Sequence, residues 1–228
     1  MQIILFYFLI GLLNVCAEFL VNEPLKYASK VLLMPTLMLF VYRTIKATNV
    51  MRMIYAALFF SWLGDIFLMF PKTQTVISPK LLFLAGLISF LIAHIFYSLY
   101  FYYEIKGKNT ASIISKNPSL LLPFAIFVAT LLYILFPTLG AMKVPVIIYT
   151  LVIITMAIMA LNRHGFVESR SFVYVFIGAC LFVFSDACIA INLFYKPFNL
   201  ARLLIMSTYI TAQFLIIKGV ILSKQMKA

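Results

Sequence analysis

The sequence predicts an all-α polytopic membrane protein, an eight-transmembrane-helix bundle making a single transmembrane domain over 1–228. Three observations carry that expectation. Hydrophobic residues make up 65% of the 228, well above the roughly 45–50% of a soluble globular domain. Only 24 residues are charged, 18 Lys or Arg against 6 Asp or Glu. Eight spans of about 20 residues each would use about 160 positions and leave about 68 for loops and tails. A soluble enzyme, a disordered chain and a large extramembrane domain are excluded together.

Hydropathy places the spans near 2–21, 27–42, 53–70, 81–103, 119–136, 144–161, 172–194 and 200–222. The joins are marked by Asn22-Glu23-Pro24, Pro71-Lys72, Asn117-Pro118, Phe136-Pro137 and Lys196-Pro197, because proline and the residue before it resist helix. No loop exceeds about 15 residues, too short for a separate domain. The first segment lacks a basic leader and a small-residue cleavage site, so it reads as a span and not as a removed signal peptide.

A net charge of +12 would suit nucleic acid if it were clustered. Here the basic residues are scattered between apolar runs, the pattern of loop charges that orient a membrane protein, and no nucleic-acid partner is expected. An even number of spans puts both termini on one side. That side carries Arg43, Lys46, Arg52, Lys106, Lys108, Lys116, Arg163, Arg170, Lys224 and Lys227; the other carries Lys26, Lys72, Lys80, Lys143, Lys196 and Arg202. Ten against six places both termini in the cytoplasm, in a multi-pass protein of the cell membrane (the inner membrane in a bacterium). Lys30 and Lys218 fall within spans. Cys16, Cys180 and Cys188 lie in apolar runs and read as core packing. Cys180 and Cys188 would sit about 12 Å apart along one helix at 1.5 Å per residue, too far for a bridge.

An ionisable group inside a span costs roughly 2.5–3.5 kcal/mol on insertion scales and is a functional candidate by default. Five stand out: Glu18, Lys30, Asp65, His94 and Asp186. Asp65 in span three and Asp186 in span seven lie at similar depth in the outer third, where Lys30 and Tyr149 also fall; His94 and Gln213 are nearer the midplane. Helical spacing gathers Gly86, Phe90, His94 and Tyr97 on one face, Ser61, Gly64, Asp65 and Leu68 on a second, and Gly178, Phe182, Ser185 and Ile189 on a third. Small residues let helices approach closely, so the glycines are placed to draw these faces around the two aspartates, with both carboxyls facing one cavity.

Plainer roles stand beside these. The two carboxylates are also readable as structural, one held by Lys30 and the other by hydroxyls. His94 reads equally as an interhelical hydrogen-bonder, and Glu18 as a solvated interfacial group. The many Phe and Tyr residues are mostly lipid-facing or interfacial bulk. There is no G-x-S-x-G elbow, no P-loop and no H-E-x-x-H. With only His94 and His164, a three-histidine zinc site is impossible. What remains is a pair of intramembrane carboxylates with Lys, His, Tyr, Ser and Gln to tune them, general acid–base equipment for which no metal or other cofactor is expected.

Lys30 to Tyr149 is 119 positions, Asp65 to Asp186 is 121 and His94 to Gln213 is 119. These offsets suggest two parallel four-helix repeats, spans one to four and five to eight, about an axis along the membrane normal.

The segments Ser61-x-x-Gly64-Asp65, Gly86-x-x-x-Phe90-x-x-x-His94-x-x-Tyr97, Pro145-x-x-x-Tyr149, Gly178-Ala179-x-x-Phe182-x-x-Ser185-Asp186 and Tyr209-x-x-Ala212-Gln213 resemble, in order, the signatures of the YhhN family, an eight-span family that includes lysoplasmalogenases. The resemblance runs from about 26 to 219. Lys30 followed by Pro35 is similar to the family's Lys-Pro element, although proline usually follows the lysine directly there.

The resemblance implies hydrolysis of the vinyl ether bond of a lysoplasmalogen to a fatty aldehyde and a glycerophospho-alcohol. It puts the key aspartates at Asp65 and Asp186, with Lys30, Ser61, His94, Tyr97, Tyr149, Ser185 and Gln213 binding or supporting. The chemistry suits paired carboxyls. Protonating the β-carbon of a vinyl ether needs a carboxylic acid and gives an oxocarbenium ion. A carboxylate then takes a proton from the water that adds, much as paired carboxyls serve glycosidases. Lys30 is placed to meet the substrate phosphate as a point charge. The expected partners are this lysophospholipid and membrane lipid, with a homodimer left open. A proton-coupled transporter or a non-enzymatic lipid-binding membrane protein is the alternative, since intramembrane Asp and His chains also relay protons.

Overall fold

The computed structural model describes residues 2–46, 48–69 and 78–225. Phe70 at the end of the third expected span, the Pro71-Lys72 join and the Lys72 and Lys227 charges lie outside the described residues. The fold is all-α, with no strand among the described residues. Its helices are α1 (Gln2–Phe19), α2 (Glu23–Thr44), α3 (Met51–Met69), α4 (Pro79–Ile105), the one-turn α5 (Ile113–Lys116), α6 (Leu122–Leu135), α7 (Lys143–Asn162), α8 (Ser169–Ala190) and α9 (Ala201–Gln225). Short 3-10 turns lead into α6 and α7, and a π-helical turn, Ile191–Tyr195, prolongs α8. Eight of these segments are long and apolar enough to cross a membrane, and the protein is an integral multi-pass membrane protein.

The observed span ends fall within about four residues of those expected, the usual uncertainty of sequence-read boundaries. One of the largest shifts, the start of α2 at Glu23 and not near 27, has a local cause. Asn22 caps the helix through its side-chain oxygen, which accepts from the Leu25 N–H at 3.1 Å. Pro24 occupies the first turn, where a missing N–H costs nothing, and Glu23 faces the positive end of the helix dipole.

Two compact units divide the chain, Met1–Tyr100 and Phe101–Ala228. In the first, α1 packs on α2 and α2 on α3. The buried Asn14 amide of α1 donates to Ser29 Oγ at 2.9 Å and to the Lys26 carbonyl at 3.0 Å, a polar tie between the first two helices. Between α3 and α4 the backbones come close because side chains are missing. A Cβ on Gly64 would lie 2.5 Å from the Phe90 ring, and one on Gly86 would lie 2.8 Å from Leu68.

In the second unit α8 and α9 share the most extensive contact. Gly178 lies against the backbone of Ala212 and Ile216, and Gly219 against Ser171 and Val175, so α8 and α9 meet at small residues in the middle and towards one end of their contact. Beside Gly219 lies a polar network that the hydropathy reading does not anticipate. Arg163, just past the end of α7, is 0% exposed. Its Nε donates to Glu104 Oε2 at 2.6 Å, its Nη2 donates to Ser171 Oγ at 2.9 Å, and its guanidinium lies 5.4 Å from the Phe101 ring centre. Ser171 Oγ passes a hydrogen bond on to the Gly219 carbonyl at 2.7 Å, and Ser223 Oγ donates to Glu104 Oε1 at 2.6 Å.

Two expectations are corrected here. Arg163, expected as a solvated loop charge, is buried in the turn after α7. A fork-shaped donor can be buried where its nitrogens find acceptors, and Nε, Nη1 and Nη2 of Arg163 each donate to one. Cys16 and Cys180 are exposed and only Cys188 is buried, because an apolar run in a membrane protein surrounds the helix, whereas packing takes one face of it.

Arg163→Met should lower the stability of the detergent-solubilised protein by about 3–5 kcal/mol, because it strands the buried Glu104 carboxylate. Thermal unfolding checks it: a melting temperature equal to wild type would show that the network carries no stability.

Candidate functional site

The first unit builds a centre around Asp65. Its carboxylate is 1% exposed, on the α3 face that also carries the buried Ser61 and Gly64. Lys30 reaches it from α2, with Nζ 3.3 Å from Oδ1 and its side chain only 14% exposed. Placing these opposite charges together is what makes each tolerable in hydrocarbon. On α1, Tyr7 is buried on the face that also carries Gly11 and Asn14. Tyr97 and His94 are both fully buried on the α4 face predicted from spacing, below Phe90 and Gly86. The structure therefore brings Lys30 and Asp65 together, and Gly64 and Gly86 draw α4 against the helix that carries Asp65.

The second unit builds a centre around Asp186. Tyr149 of α7 donates its phenol O–H to Asp186 Oδ2. Asp186 is half-buried, less enclosed than Asp65. Ser185, expected beside it as a supporting hydroxyl, faces the neighbouring helix, where its Oγ donates to the Ile205 carbonyl at 3.0 Å. The hydroxyl that holds Asp186 thus comes from tyrosine, while serine ties α8 to α9. Phe182 meets Tyr209 edge to face, with ring centres 5.4 Å apart. Gln213 is fully buried on α9, next to the Ala212 carbonyl that touches Gly178.

Glu18 is half-buried near the end of α1, in keeping with an interfacial group. His164 is exposed and stacks edge to face on Phe172 at 5.0 Å. Among the described residues, no group of three His, Cys, Asp or Glu side chains is disposed to hold a metal ion.

Two elements escaped sequence reasoning. Tyr7 carries no motif, yet Tyr7, Gly11, Asn14 and Ala17 are all buried on one face of α1. Their i, i+4, i+7 spacing in an otherwise leucine- and phenylalanine-rich span was the available signal. The Glu104–Arg163 pair sits at span ends, where hydropathy assigns charges to loops.

A family model described as the YhhN family matches residues 25–220. The chain belongs to the YhhN family. No solved structure matches it. The matched stretch contains both carboxylates and the Lys30 and Tyr149 that engage them. Tyr7 and Asn14 precede it, and Ser223 follows it. In this YhhN-family chain, helices at both ends thus add buried polar contacts to those made within the matched stretch.

Gly178→Ala should destabilise the protein by about 1–3 kcal/mol, the usual cost of overpacking. The new Cβ would meet backbone atoms of Ala212 and Ile216 at 2.9 Å, and backbone yields less readily than a side-chain tip. Melting curves in detergent test it; an unchanged transition would mean that α8 and α9 separate at little cost.

Proposed function

We propose that this YhhN-family chain is a lysoplasmalogenase-like intramembrane hydrolase, cleaving the vinyl ether bond of a lysoplasmalogen with Asp65 and Asp186 as its acid–base pair. The observation that carries the reading is the unlike setting of the two carboxyls. Asp65 faces an ammonium, Lys30, whereas Asp186 accepts from a phenol, Tyr149. A reaction that needs one proton donor and one proton acceptor needs two carboxyls in different surroundings.

In the proposed reaction one carboxyl transfers its proton to the β-carbon of the vinyl ether, and the ether oxygen takes up the positive charge as an oxocarbenium ion. Water adds to the α-carbon and gives its proton to the other carboxylate. The resulting hemiacetal passes its hydroxyl proton to the first carboxylate while its carbon–oxygen bond to the glycerol breaks and the glycerol oxygen takes the proton from the second carboxyl, which releases aldehyde and glycerophospho-alcohol and restores both groups. Lys30, engaged with Asp65, supports the carboxylate and remains placed to meet the substrate phosphate as a point charge. A lipid substrate accounts for a site built on membrane-spanning helices.

Asp186→Asn is the cleanest test, because the amide oxygen still accepts from Tyr149. The variant should fold and lose about 10²–10⁴-fold in turnover, the usual worth of an acid–base group. Asp65→Asn should lose as much, and the double variant little more than either single one, since the two act as a unit. Purified protein in detergent sustains no gradient, so turnover there separates a hydrolase from a proton-coupled transporter. Wild-type rates in either aspartate variant would remove the assignment.

The ester counterpart discriminates the mechanism. Ester hydrolysis calls for a strong nucleophile and an oxyanion hole, which the two carboxyl centres do not supply. A 1-acyl lysophospholipid should therefore inhibit competitively and remain intact, and solvent deuterium should slow turnover of the vinyl ether. Comparable cleavage of the acyl lipid would rule out proton transfer to carbon as the key step.

A further inference from the structure

Helix α2 contains a proline in its interior, Pro35. Proline has no N–H, so the carbonyl four residues earlier, that of Val31, loses the donor that a continuous helix would give it. In hydrocarbon no water replaces that donor, and the carbonyl must find one in the protein. The nearby hydroxyl does not supply it: Thr36 Oγ1 donates to the next carbonyl along, Leu32, at 2.7 Å. The donor comes from the neighbouring helix. Trp62 Nε1 of α3 donates to the Val31 carbonyl at 2.9 Å.

The location of this bond gives it consequence. Val31 adjoins Lys30, and Trp62 precedes Asp65 by three residues, one helical turn. Lys30 and Asp65 are themselves 3.3 Å apart. Two ties therefore cross from α2 to α3 within a turn of each other, one to backbone and one between charges. The backbone tie is the less forgiving, because an indole N–H and a helix carbonyl have few ways to meet, whereas a lysine stem has four carbons of freedom.

We infer that Trp62 is a positioning residue: its indole N–H occupies the carbonyl orphaned by Pro35 and thereby fixes the register of Lys30 against Asp65. The inference rests on the reading of Asp65 as catalytic, and it gives a physical role to a proline set five residues after the lysine. The orphaned carbonyl is the receptor and the tryptophan is the plug. Trp62 touches no reacting atom; it acts through the Lys30–Asp65 pair, so its loss should appear in kcat and leave KM within about twofold.

The chain has a single tryptophan, so one indole N–H signal reports on this bond without ambiguity. In 15N-labelled wild-type protein that N–H should resist exchange with deuterium, and its resonance should shift in Lys30→Met and Asp65→Asn. Trp62→Phe keeps a ring but removes the donor. It should lower kcat on a lysoplasmalogen by about tenfold to a hundredfold, the scale of a small misplacement at a reacting group. Pro35→Ala returns an N–H to the Val31 carbonyl. The double variant Trp62→Phe/Pro35→Ala should therefore recover both melting temperature and kcat relative to Trp62→Phe.

Wild-type kcat in Trp62→Phe, or no recovery in the double variant, would overturn the inference. So would an indole that exchanges as fast as free solvent-exposed tryptophan. If wild type itself fails to turn over the vinyl ether, the hydrolase reading fails; indole protection and the recovery of melting temperature by Pro35→Ala then decide the Trp62–Pro35 coupling alone. If Trp62→Phe does not fold, folding of the double variant supports the inference, and its failure to fold overturns it.

Discussion

Hydrocarbon supplies no hydrogen bonds, so every polar group that enters it must be answered from within the protein. The rest of this structure depends on that constraint. It makes the backbone helical throughout the described spans, and it explains how the few buried charges are tolerated. Lys30 answers Asp65, Tyr149 answers Asp186, and Arg163 answers Glu104. It extends to single backbone atoms, since the carbonyl freed by Pro35 is met by the one tryptophan of the chain.

These answers differ in kind. The Glu104–Arg163 group is closed: fully buried, with serine hydroxyls and a backbone carbonyl completing it. A closed network holds helix ends together and leaves no opening for a substrate. The Asp65 and Asp186 centres are different. Each carboxyl is met by a side chain able to donate a proton or a charge, and Asp186 is only half-buried. Being buried, charged and paired does not by itself separate structure from chemistry.

Small residues and aromatic residues divide the packing between them. Gly64, Gly86, Gly178 and Gly219 sit where another helix leaves no space for a Cβ. Three of them lie close to a polar centre: Gly64 beside Asp65, Gly178 two turns before Asp186, and Gly219 against Ser171. Helices that are to share polar groups must come within hydrogen-bond reach, and bulky side chains would hold them apart. Close packing and polar satisfaction are therefore one requirement met at the same places.

The sequence by itself determined the fold class, the eight spans and the polar candidates, because these follow from local composition and helical period. An apolar run of the right length has one stable form in a bilayer, and a carboxyl inside it stands out against its background. Spacing also placed Gly86, Phe90, His94 and Tyr97 correctly on one buried face. Tertiary structure alone decided the partners. It showed that Lys30 meets Asp65, that Tyr149 and not Ser185 holds Asp186, and that Tyr7 and Arg163 are buried. Periodicity gives the face of a helix but not its neighbour, and a charge at a span end looks the same in sequence whether it ends in water or in a closed network.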